Sequence, residues 1–271
     1  MILHFEKYFF QQEIKNRIQN PEFRIKIKSY FYKKIFFNNL TTFHFKQFSV
    51  SDDHAVMKIS TDAVLLGAWS NEAATHILDI GTGCGIIALM LAQKTNAKID
   101  AVEIDQATAA EAIQNIKNST FGKQIHIHPI SFQEFILKTK TKYDLIVSNP
   151  PYFKNLLKSK KEEKNLAKHD VKLTFEEIIH SAKTLLQSEG KLNIILPAYE
   201  GKVFSQIALL EGLYCNKILE VKPTTTKPAN RLLMQFSFTK TQTDRKEIII
   251  RRGNVFTDEY KLLTKDYYLK F

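Results

Sequence analysis

The run Asn149-Pro150-Pro151-Tyr152 holds the residue types best suited to chemistry in this sequence. It directly follows the apolar stretch 143–148, which predicts a short buried strand. Two consecutive prolines restrict the backbone, so the side-chain oxygen of Asn149 and the carbonyl oxygen of Pro150 are expected to keep fixed positions. Two fixed acceptors can hold both N–H groups of an amino group with a delocalised lone pair, and Tyr152 offers an aromatic face. Asn149, Pro150 and Tyr152 are therefore the candidate catalytic residues.

A second candidate site is the loop Asp79-Ile80-Gly81-Thr82-Gly83-Cys84-Gly85, which lies between a predicted strand and a predicted helix. Glycines at alternate positions let the backbone turn sharply and approach a ligand, and ligands bind beyond the carboxyl ends of strands in an open α/β sheet. Ile86 occupies the third glycine position of the dinucleotide pattern G-x-G-x-x-G, so the spacing indicates another ligand. The next predicted strand ends at Glu103, whose carboxylate can accept hydrogen bonds from two ribose hydroxyls.

The D-x-G-x-G-x-G spacing resembles motif I of class I S-adenosylmethionine-dependent methyltransferases, and Asn-Pro-Pro-Tyr resembles the signature of enzymes that methylate planar amino nitrogens. The resemblance implies S-adenosylmethionine as the cofactor, with the methyl group passing in line from the sulfonium to the nitrogen. Many such enzymes have an Asp after the third strand; here Ser131-Phe132 stands there, and Ser131 is either a cofactor contact or a helix N-cap. The implied cofactor contacts are Asp79, Gly81, Gly83, Gly85, Glu103, Ser131, Phe132 and Asn149.

A narrower resemblance is to the bacterial tRNA-Val adenine-37 N6-methyltransferases. It rests on the two motifs and on segments 45–48, 57–69 and 222–238, and it spans about residues 43 to 238. It implies N6-methylation of an adenine beside the anticodon, with tRNA as the partner. Thr61 and Asp62 would either cap the following helix or contact the methionine end of the cofactor. The implied substrate contacts are Pro151, Phe153, Lys154, Lys46 and Arg231.

Strands and helices that position these residues alternate along the chain after about residue 43, which predicts a Rossmann-like, doubly wound, mostly parallel seven-stranded sheet. The last two predicted strands form a hairpin-like pair that would supply an antiparallel edge strand. The predicted strands are 76–80, 98–103, 124–129, 143–148, 191–196, 215–221 and 231–238. The predicted helices are 85–94, 107–118, 132–138, 175–187 and 201–211.

Three regions are predicted along the chain. Residues 1–42 hold eight Lys or Arg against three Glu; they form either an RNA-contacting arm or a poorly ordered extension, and we favour the extension. Residues 43–240 form the methyltransferase domain, whose first part, 43–75, is a lid over the cofactor. Residues 241–271 are a C-terminal extension to which the sequence assigns no role.

The charge balance favours a polyanionic partner. The formal net charge is +11, and the loop 154–172 carries seven Lys against three acidic residues, which suits phosphate contacts or a solvated loop. The two cysteines are far apart and the histidines are scattered, so no metal site is predicted. No apolar run approaches the roughly 20 residues of a membrane helix. We expect a cytoplasmic monomer that binds neither metal nor membrane.

Three other functions fit parts of the pattern. Release-factor glutamine N5-methyltransferases share the tetrapeptide but usually follow a helix-rich N-terminal domain, and guanine-N2 methylation of ribosomal RNA uses the same chemistry. An inactive RNA-binding module would keep the fold without the reaction, although the intact Asn149 and glycine loop argue against it. A covalent cytosine mechanism is disfavoured because it needs a positioned Cys nucleophile, and Cys84 lies in the glycine loop while Cys215 starts a late strand.

Overall fold

The computed structural model describes residues 42–150 and 173–270. Pro151, Tyr152, Phe153 and Lys154 lie outside the described residues. The lysine-rich loop and the basic N-terminal segment 1–41 also lie outside them. The predictions made for these residues therefore stay predictions.

Eleven strands occur in the described chain. Nine of them form one sheet: β3 (His76–Ile80), β4 (Lys98–Val102), β5 (Ile125–His128), β6 (Tyr143–Ser148), β7 (Leu186–Pro197), β8 (Tyr214–Thr224), β9 (Arg231–Ser237), β10 (Asp244–Arg252) and β11 (Val255–Phe256). The other two, β1 (Thr42–His44) and β2 (Ser49–Ser51), pair with each other as a short antiparallel ribbon.

The order of the large sheet is β11–β10–β8–β9–β7–β6–β3–β4–β5. Strands β5, β4, β3, β6 and β7 run parallel to one another, and β8 runs parallel to β10. Strand β9 is antiparallel to both of its neighbours, β7 and β8. The carboxyl ends of β4, β3, β6, β7, β8 and β10 therefore share one edge of the sheet, which we call the catalytic edge.

The observed sheet confirms the predicted mostly parallel α/β fold and differs from it in two details. It contains nine strands rather than seven, because the C-terminal residues 244–256 add β10 and β11 beyond β8. The antiparallel strand β9 lies inside the sheet, because it inserts between β7 and β8 instead of following β8 at the edge.

Seven helices cover both faces of the sheet in the described ranges. On one face lie α1 (Thr61–Trp69), α2 (Ile86–Lys94), α3 (Gln106–Lys117) and α7 (Asp258–Thr264); on the other lie α4 (Phe132–Lys138), α5 (Phe175–Leu185) and α6 (Ala198–Leu210). Two-sided covering explains why β3 and β6 are almost continuously apolar, since their side chains are buried on both faces.

The C-terminal segment packs against α2 and against the segment that precedes α1. Its Tyr267 is 1% exposed and donates a hydrogen bond through its hydroxyl to the Met90 carbonyl of α2, at 3.0 Å. Its Tyr268 forms an isolated antiparallel bridge with Phe45, and the two rings stack with centroids 6.0 Å apart. Residues 241–270 are thus packed into the same core as the segment before α1.

Candidate active site

Three candidate residues converge because the strands that carry them are neighbours. Asp79 is the second-last residue of β3, Glu103 directly follows β4, and Asn149 directly follows β6. Strand β3 lies between β4 and β6 and is parallel to both. The Ser148 hydroxyl donates to the Ile80 carbonyl at 3.0 Å, which ties the ends of β6 and β3 together. The structure therefore brings Asp79, Glu103 and Asn149 to the catalytic edge, as the strand pattern predicted.

Asp79 is a buried carboxylate with one unused oxygen. Its side chain is 0% exposed, and Oδ2 accepts a hydrogen bond from the Thr82 hydroxyl at 2.6 Å. Its Oδ1 has no hydrogen-bond partner among the described residues. Burial raises the pKa of Asp79 to about 7; the Thr82 hydrogen bond opposes the rise and the charge of Glu103 adds to it. A buried carboxylate in this state is suited to a cationic ligand group, which would favour its charged form.

The glycine loop leaves open space where side chains would stand. Gly81 and Gly83 have φ angles of +71° and +58°, and a Cβ added to either would meet no atom within 4 Å. The backbone N–H groups of Gly81 and Thr82 both donate to the Val102 carbonyl at 3.0 Å, which fixes the loop over the end of β4. Positive φ and empty space together form a backbone cradle that a ligand can approach closely.

Gly85 has a different role from the other two glycines. Its φ is +86°, and an added Cβ would touch Ala112 and Ile116 of α3 at 3.5 to 3.8 Å. It also occupies the N-cap position of α2, where its carbonyl accepts the first helical hydrogen bond from Leu89. Gly85 thus allows the loop to pack closely on α3 and to turn into α2.

Glu103 orients the loop through its carboxylate. Oε2 accepts a hydrogen bond from the Gly83 N–H at 2.9 Å, and Oε1 accepts one from the Asp105 N–H at 3.0 Å. Each carboxylate oxygen retains a lone pair, so both can still accept hydrogen bonds from a ligand diol. Ile104, the next residue, is 51% exposed at the catalytic edge and presents an apolar surface beside this carboxylate.

Asn149 supplies a second unused acceptor at the same edge. Its Oδ1 is buried and has no hydrogen-bond partner in the described ranges, while the following Pro150 is buried. Leaving a buried carbonyl oxygen unpaired costs about 1–3 kcal/mol, so such an atom calls for an explanation. Asp79 Oδ1 and Asn149 Oδ1 are unpaired acceptors of neighbouring strands, and ligand donors would satisfy both.

Ser131 is the N-cap of α4. Its hydroxyl accepts a hydrogen bond from the Glu134 N–H at 3.1 Å, which is the capping geometry that the sequence left as one of two alternatives. Phe132 begins the helix with its ring buried and stacked on Phe135, with the centroids 6.5 Å apart. Both residues directly follow the third strand of the fold, but a contact between Ser131 and a cofactor stays a prediction.

The capping alternative for Thr61 and Asp62 was wrong. Ser60 is the N-cap of α1, and its hydroxyl accepts from the Ala63 N–H at 3.2 Å. Thr61 is exposed in the first turn. Asp62 instead pairs with Arg231, whose Nε lies 2.7 Å from Asp62 Oδ2. The side chains of this pair are only 14% and 25% exposed, so the pair joins α1 firmly to the start of β9.

The two predicted substrate contacts that fall in the described ranges are engaged within the protein. Arg231 lies at the catalytic edge, where it pairs with Asp62 and also donates to the Asn230 carbonyl at 2.9 Å. Lys46 donates through Nζ to the Lys265 carbonyl at 2.6 Å. The structure therefore places Lys46 against the C-terminal segment, and its predicted substrate contact stays a prediction, as does that of Arg231.

The segment before α1 is held on α3 by side chains that the sequence did not single out. Asn115 forms two hydrogen bonds with the backbone of Ser51, at 3.0 and 2.8 Å, and a third with the Cys84 carbonyl in the glycine loop, at 2.9 Å. Glu111 accepts from the His54 N–H at 3.1 and 3.2 Å and from the Ser51 hydroxyl at 3.2 Å. We call residues 51–59 the strap.

Asp52, which is 8% exposed, joins the two ends of the strap. Its Oδ2 accepts from the Ile59 N–H at 2.7 Å, and Lys58 Nζ lies 3.8 Å from its Oδ1. A sequence signal for the strap existed in α3, where Thr108, Glu111 and Asn115 are spaced three and four residues apart on one face. A polar stripe of that kind is usually solvent-exposed, so its burial could not be inferred from spacing.

Other chemistries find less support in the described ranges. No group of three or more His, Cys, Asp or Glu side chains is arranged there to hold a metal ion. Burial raises the pKa of the Cys84 thiol to about 12, with the charges of Asp52 and Glu111 adding to the effect, so the thiol is a poor nucleophile at neutral pH. No helix of 42–150 or 173–270 is both long and apolar enough to cross a membrane.

Proteins similar to this chain in sequence are methyltransferases. A family model described as the methyltransferase small domain matches residues 57–202. A tRNA1(Val) (adenine(37)-N6)-methyltransferase of Flavobacterium psychrophilum is 42% identical over 232 residues, which cover 84% of this chain and 99% of the relative. The enzyme of the same description from Trichodesmium erythraeum is 39% identical, with 84% and 98% covered.

A solved structure described as a predicted O-methyltransferase of Agrobacterium tumefaciens superposes with a TM-score of 0.59 at 20% identity, covering 76% of this chain and 96% of that one. This likeness confirms the fold. The fold, the open glycine cradle and the two unpaired acceptors define a methyltransferase of the Rossmann-like class that uses S-adenosylmethionine. More narrowly, the chain belongs to the tRNA1(Val) (adenine(37)-N6)-methyltransferase family.

Proposed function

We propose that this protein methylates N6 of an adenine in tRNA, adenine 37 beside the anticodon of tRNA-Val, with S-adenosylmethionine as the methyl donor. The observation that carries the proposal is the pair of buried, unpaired oxygens, Asp79 Oδ1 and Asn149 Oδ1, on neighbouring strands of the catalytic edge. The carboxylate oxygen of Asp79 suits a cationic ammonium group, and the amide oxygen of Asn149 suits an N–H donor.

The cofactor contacts follow from the open space and the acceptors around it. Asp79 would bind the methionine ammonium, the backbone of Gly81 and Gly83 would line the methionine and ribose, and Glu103 would accept from the ribose hydroxyls. The exposed side chain of Ile104 beside Glu103 would contact a face of the adenine ring. When bound, S-adenosylmethionine supplies an electrophilic methyl group on a sulfonium.

Two oxygens of the chain would hold the amine of the target adenine through hydrogen bonds. Asn149 Oδ1 accepts a hydrogen bond from one N–H of the exocyclic amine, and the Pro150 carbonyl accepts from the other. Both acceptors are expected to favour a pyramidal nitrogen whose lone pair is available for attack on the methyl carbon. Their positions are fixed by the β6 strand end, the hydrogen bond from Ser148 to Ile80 and the proline ring.

The remaining predicted contacts belong to the same proposal. Pro151, Tyr152, Phe153 and Lys154 follow Asn149 directly in sequence, and they would surround the target base. The paired residues Asp62 and Arg231 would shape the wall of the site between α1 and β9. Asn115 links Ser51 of the strap to the Cys84 carbonyl of the glycine loop, and Thr61, which follows the strap in sequence, would contact the methionine end of the cofactor.

Adenine in tRNA is favoured over a glutamine side chain as the substrate. The relatives named as tRNA adenine-N6 methyltransferases match this chain over 98–99% of their own length at 39–42% identity. The net charge of +11 suits a phosphate-rich partner more than a release factor. A cytoplasmic monomer remains the expected form of the protein.

Nucleoside mass spectrometry of tRNA from a strain lacking the protein tests the proposal. Wild type is expected to restore N6-methyladenosine, and Asn149→Ala is expected to reduce the methylation rate constant about 100- to 1000-fold, by analogy with the loss of one fixed donor or acceptor. Asn118→Ala is the matched control, because Asn118 is an exposed residue at the end of α3. Unchanged N6-methyladenosine in the deletion strain, or full rescue by Asn149→Ala, would overturn the proposal.

A further inference from the structure

The catalytic edge continues well beyond the site described above. Moving outward from β6, the strands are β7, β9, β8 and β10, and the carboxyl ends of β7, β8 and β10 all lie on the same edge as Asn149. With strands about 4.8 Å apart, β10 lies about 19 Å from β6 along the sheet. The C-terminal residues 244–256 therefore lengthen the edge at which the proposed reaction occurs.

Four side chains of this outer part reach solvent at the catalytic edge. Tyr199 stands two residues beyond the end of β7 and is 62% exposed. Lys227 lies exposed in the turn between β8 and β9, and Arg251 and Arg252 are exposed at the end of β10. We call Tyr199, Lys227, Arg251 and Arg252 the outer edge.

Most of the charge on the outer edge is available to a ligand. Lys227 has no ion-pair partner among the residues that the structure describes. Arg252 lies 3.9 Å from Glu259, but both side chains are more than 60% exposed, and surface pairs of this kind contribute little. The Arg251 guanidinium packs 3.8 Å from the centre of the Phe256 ring and donates to the Asn254 carbonyl at 3.1 Å. This cation–π contact leaves the guanidinium with further N–H donors for a ligand.

Tyr199 adds an aromatic surface to the same edge. Its ring makes no aromatic, cation–π or hydrogen-bond contact with any other described residue. Tyr199 lies in the first turn of α6, which directly follows β7, the strand next to β6. An exposed ring beside cations matches the surfaces that bind single-stranded nucleic acid, in which bases stack on aromatic residues and phosphates contact Lys or Arg. About 19 Å corresponds to five or six stacked nucleotides, at roughly 3.4 Å each.

We propose that the outer edge binds the tRNA strand that flanks the target adenine, with Tyr199 stacking on a neighbouring base and Lys227, Arg251 and Arg252 contacting phosphates. The proposal rests on the proposed function and deepens it, because it assigns the C-terminal strands β10 and β11 to the substrate. It predicts that the outer edge governs tRNA affinity without contacting the cofactor.

The electrostatic part is tested with the variant Lys227→Gln/Arg252→Gln. The matched control is Lys98→Gln/Lys123→Gln, which removes two exposed charges at the opposite edge of the sheet, at the first residue of β4 and just before β5. Dissociation constants for substrate tRNA are measured over a series of KCl concentrations. We expect the outer-edge variant to bind about tenfold more weakly, with the slope of log Kd against log salt reduced by about 1.5, and the control to match wild type. Equal affinities and slopes for the two double variants would refute this part.

The stacking part is tested with Tyr199→Ala and Tyr199→Phe in steady-state methylation of tRNA. Alanine is expected to raise the KM for tRNA about tenfold with little change in kcat, and phenylalanine to restore the wild-type KM, because it keeps the ring. Leu210→Ala is the control, since Leu210 is 86% exposed at the other end of the same helix. A wild-type KM for Tyr199→Ala, or no rescue by Tyr199→Phe, would contradict stacking.

These outcomes separate the two proposals. If wild type fails to methylate tRNA at all, the proposed function is wrong, and so is the proposal that the outer edge binds the tRNA strand. If wild type methylates tRNA while the outer-edge variants keep wild-type KM and Kd, the function stands and the outer edge is not the binding surface. Binding of S-adenosylhomocysteine, measured by calorimetry, should be equal in all of these variants.

Discussion

Replacing Asp79 by asparagine should stabilise the free protein and weaken cofactor binding at the same time. The carboxyl is 0% exposed, and its only hydrogen bond from a side chain comes from the Thr82 hydroxyl. Burial raises its pKa to about 7 from 3.8, so the charged form is disfavoured by the folded protein without a ligand. Asparagine has nearly the same shape and carries no charge, which makes it the cleanest substitution at this position.

The magnitude follows from linkage between protonation and folding. Because the folded pKa lies above the unfolded one, folding takes up a proton at intermediate pH. The penalty is absent below about pH 4, grows as the pH rises to 7 and is complete above it. A rise in pKa from 3.8 to about 7 corresponds to about 4 kcal/mol. The amide N–H₂ of asparagine would take the place of the unpaired Oδ1, and a buried N–H left without an acceptor costs about 1–3 kcal/mol. Asp79→Asn should therefore be more stable by about 1–3 kcal/mol at pH 8.

Urea unfolding and calorimetry measure both effects. At pH 8 the free energy of unfolding of Asp79→Asn should exceed that of wild type, and at pH 4 the order should reverse. Wild type should bind S-adenosylhomocysteine about tenfold more weakly at pH 6 than at pH 8, because protonation of Asp79 competes with the ligand ammonium. The asparagine variant should bind weakly, with no such dependence on pH.

Asp100→Asn is a control of opposite sign. Burial alone would raise the pKa of Asp100, but hydrogen bonds from His128 and Tyr143 outweigh it and lower the pKa. Asp100→Asn should therefore destabilise the protein above pH 4 and leave ligand affinity unchanged. The reasoning on Asp79 is refuted if its asparagine variant is less stable than wild type at pH 8, or if wild type binds S-adenosylhomocysteine equally at pH 6 and pH 8.

Two further predictions concern the contacts that enclose the site. Asn115→Ala should cost about 3 kcal/mol in urea unfolding and weaken S-adenosylhomocysteine binding, because it leaves one buried and two partly buried backbone partners of the glycine loop and strap unpaired. Asn118→Ala should stay within about 0.5 kcal/mol of wild type. A loss below 1 kcal/mol for Asn115→Ala would show that the strap is not held by this residue. Asp62→Ala and Arg231→Ala, alone and together, should give a coupling energy of about 1–3 kcal/mol in a double-mutant cycle of unfolding. Additive losses would mean that the pair contributes no net attraction.

Local spacing was sufficient to find the centre of the site. Apolar runs before Asp79, Glu103 and Asn149 predicted strands, and parallel strands end at one edge, so the three side chains had to meet if the strands were neighbours. The same reasoning could not choose between a cap and a ligand contact for Ser131, because both use the same hydroxyl oxygen. The Ser131 hydroxyl oxygen accepts a hydrogen bond from the Glu134 N–H, which shows the cap.

The missed contacts all join residues that are distant in sequence. Asp62 meets Arg231 across 169 residues, and Asn115 meets Ser51 across 64. Neither partner carries a pattern that identifies the other, since a buried polar side chain and a solvated one have the same spacing on a helix. Such pairs become visible only once strand order places α1 beside β9 and the strap on α3.

The sequence by itself determined the alternation of strands and helices, the backbone freedom of the glycine loop and the position of Asn149 directly after a strand, because these depend on neighbouring residues. Only the tertiary structure decided that β9 inserts between β7 and β8, that 244–256 extends the catalytic edge and that Asp79 Oδ1 and Asn149 Oδ1 are left unpaired. Those features depend on which strands pair and on what covers each polar atom, and both are set by contacts across the whole chain.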